Sequence, residues 1–173
     1  MPEHFQPLAD KNLMSCQRFS SLQLLNNQIS DNMIISTLDF ELLMGCIRAL
    51  ECRHTTKFDE VQVLKRKISL AQKVKPQDVP RDIVTMNSFV ELQRNNAETS
   101  FTIKLVFPEY ENIKENRISI LSALGVAIIS EKVGTEVVYH TWKNENHIMI
   151  TDVIFQPEAN GNYYVNKHDY GYF

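Results

Sequence analysis

The chain has 173 residues, 43% of them hydrophobic, which is enough for one domain with a real core plus an appendage and too apolar for wholesale disorder. A net charge of −3 argues against a protein that coats nucleic acid through its phosphates. Apolar runs stay short of the ~18 residues a bilayer span needs, and the opening "MPEHFQPLADKNLM" has no basic segment followed by an apolar one, so cytoplasmic residence is expected.

Residues 1–33 are rich in Gln, Asn and Ser and predict a loosely attached arm, with Met14 and Met33 both reading as alternative starts. Ser36 and Thr37 are good N-cap residues, with Asp39 three positions after Ser36. The helix they open carries Leu38, Leu42, Cys46 and Leu50 at spacings of four, flanked by Leu43 and Ile47. After "ECRHTTK", Thr55 or Thr56 caps a second helix in which Phe58, Val61, Leu64, Ile68 and Ala71 recur at steps of three and four. Residues 34–75 therefore predict a short antiparallel helical hairpin, a short coiled coil of about 24 Å per arm. It is basic: Arg48, Arg53, Lys57, Lys65, Arg66, Lys67, Lys73 and Lys75 face only Asp39, Glu41, Glu51, Asp59 and Glu60, whereas acids outnumber bases from Gln77 onward.

Two prolines in residues 76–82 read as a linker, and beyond it the apolar period changes from 3.6 to 2. Strands are predicted at 83–93, 100–107, 117–121, 136–142 and 147–156, with "RNNAET" and "KNENH" as hairpin turns. Ser122 caps a helix from Ala123 to about Glu131, a lid for one sheet face. The fold class expected is α+β: helical hairpin first, then an antiparallel β-sheet body with one short helix over 83–165, and a tail at 166–173.

Cys16, Cys46 and Cys52 form no CxxC pair, and His4, His54, His140, His147 and His168 show no HExxH spacing, so neither a disulfide framework nor a metal site is expected. Ser36, Ser88 and Ser122 lack a G-x-S-x-G setting, and five glycines are too dispersed for a phosphate-binding loop. No catalytic residue and no cofactor are expected.

The order of elements, together with "ILSALGVAIISEKVGTEV", resembles the Gre transcription elongation factor family of bacterial RNA polymerase. Ser122, Leu124, Gly125, Ala127 and Gly134 match that family's C-terminal motif, with Ala123 in place of a proline and Thr135 in place of an aspartate. "VPRDIVTMNSFVEL" and "FQPEANGNYYV" look like a short-hairpin branch of the same family. The resemblance covers about 34–165, most closely over the body. It implies an FKBP-like domain that docks at the rim of the polymerase secondary channel, as a monomer that meets DNA only within the transcription complex. The binding residues implied are Ser122, Leu124, Gly125 and Gly134 of the motif, with Arg48, Arg53, Lys57, Lys65, Arg66 and Lys67 as electrostatic guides on the hairpin.

Cleavage-stimulating members carry two tip acids, D-x-x-E or D-x-x-D, that help hold a second magnesium and its water. This tip has none: Glu51 stands alone, and Asp59 and Glu60 are adjacent in a first helical turn, where acids complement the helix N-terminus. The expected function is a polymerase-binding regulator without cleavage activity. The rivals are a peptidyl-prolyl isomerase or chaperone, with Trp142, Tyr139, Phe101, Phe107 and Phe155 lining a pocket, and a plain interaction module.

Overall fold

The computed structural model describes residues 33–52, 58–95, 99–141 and 143–163. It begins with a strand too short for any periodicity to reveal, β1 (Ile34–Ser36), which pairs in parallel with β2 (Gln72–Val74). Between them run α1 (Thr37–Glu51) and α2 (Phe58–Leu70). Ser36 caps α1 as its type and position predict, its hydroxyl accepting from the Asp39 amide at 3.0 Å. Thr55 and Thr56 lie outside the described residues.

The two helices lie antiparallel. Glu51, ending α1, accepts from Gln62 and Lys65 of α2 at 3.2 and 2.8 Å. At the opposite end Lys73 covers the Phe40 ring at 4.5 Å. On α1 the face turned fully inward is Asp39, Leu43 and Ile47, one position round from the Leu38, Leu42 and Cys46 row, which is only half-buried. On α2, Val61, Leu64 and Ile68 are buried at the spacing expected.

The body is a five-stranded sheet in the order β5-β4-β3-β7-β6: β3 (Phe89–Arg94), β4 (Ser100–Val106), β5 (Arg117–Ser119), β6 (Glu136–His140) and β7 (Glu145–Phe155). Two features depart from the sequence reading. The strand expected at 83–93 starts only at Phe89, because Asn87 adopts the left-handed conformation (φ 62°), which asparagine tolerates, and turns the chain. Residues 83–88 instead form a leading loop, bonded to Leu105 through the Asn87 amide (2.8 Å) and to Glu131 through the Val84 amide (2.9 Å). The sheet is also not wholly antiparallel. β5 runs parallel to β4, since the single-turn helices Pro108–Tyr110 and Ile113–Glu115 carry the chain back before it pairs. Strand alternation encodes which face is buried and says nothing of direction.

The short helix α3 (Ala123–Ile128) stops three residues before the expected Glu131. Ser130, at φ 64°, reverses the backbone there, and its amide donates to the Val84 carbonyl at 2.9 Å.

The helical pair and the sheet share one core. Leu43, Ile47, Leu64 and Ile68 belong to the same buried cluster as Val84, Val90, Leu92, Leu105 and Ile150. Each such side chain contributes roughly 2 kcal/mol by leaving water. The pair therefore packs on the body through this cluster. Among the described residues no helix is long and apolar enough to cross a membrane.

Candidate functional site

Residues 119–135 concentrate the motif positions on one turn of structure. Ser122 Oγ accepts from the Gly125 amide at 2.9 Å and donates to the Ser119 carbonyl at 2.7 Å, closing the first turn of α3. Ser122→Ala is therefore expected to cost about 1 kcal/mol. Calorimetry should record a melting temperature about 3 °C lower, and an unchanged one would deny the cap its role.

Gly125 is buried against the end of β5. A Cβ there would overlap the Ser119 carbonyl oxygen and stand 3.0 Å from the Ile120 Cα. Leu124 packs half-buried against the core. Gly134 has open space around it but a φ of +86°, and its amide donates to the Ile150 carbonyl at 2.8 Å, leading the chain into β6.

The basic run at 65–67 divides three ways, because successive helical residues point about 100° apart. Lys65 lies across the hairpin on Glu51 at 2.8 Å. Arg66 is exposed, as is Arg48 in the last turn of α1. Lys67 is buried, and its ammonium meets the Glu131 carboxylate at 2.9 Å, the Val126 carbonyl at 3.2 Å and the Ala127 carbonyl. Its assignment as an exposed guide is thus corrected: three residues after Leu64 and four before Ala71, it belongs to the apolar face. Burial pushes its amine down from the ordinary lysine range, and Glu131 opposes that shift. Glu131, which the sequence reading did not single out, anchors α2 to the end of α3 through this contact. Arg53 and Lys57 lie outside the described residues.

At the hairpin end, the Lys65 and Gln62 hydrogen bonds hold the Glu51 carboxyl below its usual range. Glu60 is half-buried on α2. Among the described residues no group of three or more His, Cys, Asp and Glu is placed to hold a metal ion. His147 bridges Glu136 (3.1 Å) and Glu145 (2.9 Å) on the exposed β6–β7 surface, and these carboxylates raise its pKa, Glu145 foremost.

Among the described residues, the aromatics named for an isomerase pocket divide between the core and the outer sheet face. Phe107 is buried in the core, Tyr139 and Phe101 pack beside it, and Trp142 lies outside the described residues. Phe155 stacks edge-on against Phe89 at 6.1 Å. These two, with Thr102, Ile154 and Asn162, line a separate apolar groove of about 500 Å³ on the outer sheet face.

Residues 79–155 match the family described as transcription elongation factor GreA/GreB, C-terminal, and the resemblance read from the sequence is borne out over this region. Among individual proteins, the chain is 28% identical over 102 residues to the regulator of nucleoside diphosphate kinase of Escherichia coli (strain K12), covering 58% of this chain and 74% of that protein. It is 26% identical over 98 residues to transcription elongation factor GreA of Syntrophus aciditrophicus (strain SB), covering 57% and 61%. A solved structure, the prokaryotic transcription elongation factor GreA/GreB from Nitrosomonas europaea, matches with a TM-score of 0.62 at 26% identity, over 72% of this chain and all of that one.

Proposed function

We propose that this protein is a regulator of bacterial transcription that binds core RNA polymerase at the secondary channel, without stimulating transcript cleavage. The observation that carries the reading is the GreA/GreB C-terminal match over residues 79–155, which falls on the body holding the Ser122–Gly125 turn. In this reading an FKBP-like body is the anchor, and exposed Arg48 and Arg66 guide the helical pair toward an acidic surface. The protein acts as a monomer and meets DNA only within the transcription complex. Two observations support non-cleavage: Glu51 is engaged by Lys65 and Gln62, and no second acid stands three residues from it in the sequence. Helices of 15 and 13 residues are also short for reaching a distant active site.

The chain should co-purify with core polymerase, be displaced by a cleavage factor, and leave transcripts in backtracked complexes at full length. Efficient shortening that disappears with Asp59→Ala or Glu60→Ala would overturn the non-cleavage reading. Reversing Arg48 and Arg66 to glutamate should weaken binding about tenfold and flatten its salt dependence. Unchanged affinity in the double variant would remove the guiding role from these two residues.

A further inference from the structure

Two buried carboxyl groups from opposite ends of the described chain hold adjacent residues of the same loop. Asp39 in the first turn of α1 is 3% exposed and Glu158, in the single-turn helix after β7, is 7% exposed. Asp39 Oδ2 accepts from the Met86 amide of the leading loop at 3.0 Å. Glu158 Oε2 accepts from the Thr85 hydroxyl at 2.8 Å, and that hydroxyl lies 2.9 Å from Ser88 Oγ. Three separated segments are thereby joined: the start of the helical pair, residues 85–88, and the C-terminal turn.

The groups acting on Asp39 are the Glu158 carboxyl from the C-terminal turn and the Met86 amide from the loop. Those acting on Glu158 are Thr85 from the loop, Ser36 from α1 and its own turn's backbone. Neither set contains a cation. The cation on β2 nearest this end of α1 in the bonding pattern, Lys73, is turned to the Phe40 ring and the Ser69 carbonyl. Two full negative charges buried without a cation partner are costly, so a proton is retained in the site.

We propose that Asp39 and Glu158 form a buried carboxyl latch that closes the helical pair and the C-terminal turn onto residues 85–88, and that the latch loosens when the proton retained there is lost. Burial first and Glu158 second push the Asp39 carboxyl up to about 8, and burial raises Glu158 as well. The sign follows from linkage. The folded chain keeps a proton that the unfolded chain sheds near its ordinary value of 3.8, so stability falls as pH rises through the window between 3.8 and about 8. Per proton retained, the folding constant drops up to about tenfold for each pH unit in that window. This inference rests on the packing of the chain alone and is independent of the polymerase reading.

Urea denaturation of the full chain from pH 5 to pH 8.5 tests it. Asp39→Asn keeps an oxygen for the Met86 amide and carries no charge at any pH. It should match the parent at pH 5 and exceed its folding constant at least tenfold at pH 8.5. Glu158→Gln should flatten the profile in the same way, and its result decides if the first variant fails to fold. The comparison also cancels the His147 titration, which both variants retain. Hydrogen exchange at the Met86 amide should accelerate from pH 7 to pH 8.5 beyond its intrinsic base dependence in the parent and not in the variants. Parallel stability profiles for parent and variants, or Met86 exchange that follows intrinsic chemistry in all three, would overturn the latch.

Discussion

Replacing Lys67 by alanine is expected to lower the unfolding free energy by about 3–5 kcal/mol, because it strips the buried Glu131 carboxylate of its ammonium partner. The same substitution removes the donor to the Val126 and Ala127 carbonyls at the end of α3. The double change Lys67→Met with Glu131→Gln should recover most of the loss, since a charge-free pair of similar volume carries no stranded ion. Chemical denaturation of the three variants measures both statements. A single-variant loss below about 1 kcal/mol would mean that the pair is solvated and does not clasp the helical pair to the body.

Gly125→Ala is expected to cost about 3 kcal/mol, with Gly134→Ala costing closer to 1 kcal/mol. The contrast is physical. At Gly125 the added carbon overlaps backbone, the Ser119 carbonyl, which can yield only by moving α3 away from β5. At Gly134 the space is open and the cost is the positive φ alone. Thermal unfolding of the two variants side by side checks the ranking. Equal losses would mean that close approach at Gly125 is relieved without moving the helix, and that the glycine there is a matter of conformation only.

Much of the body was legible because its signals are local. The Ser36 and Ser122 caps, the α2 stripe of Val61, Leu64 and Ile68, and the alternation in β4, β6 and β7 each report a residue's own backbone preference or its inward face. The strands β1 and β2 were not legible, since three residues are too few for a period and their pairing joins segments 38 positions apart in the chain. The direction of β5 was invisible for a related reason: alternation is the same in parallel and antiparallel pairs. Lys67 was misassigned by reading a basic run as one surface when a helix spreads three consecutive residues over most of its circumference. Its spacing from Leu64 and Ala71 carried the correct answer.

The sequence by itself determined the α+β class, the caps, the motif turn at 122–125 and the likeness to the Gre family, because each depends on residue type at short spacing. Only the tertiary structure decided that the helical pair and sheet share a core, that Lys67 closes on Glu131, and that Asp39 and Glu158 are buried on adjacent residues of one loop. Those contacts depend on which distant surfaces exclude water together. A charge in the sequence looks the same whether it will face solvent or a buried partner, and burial alone turns it from a surface guide into a clasp or a latch.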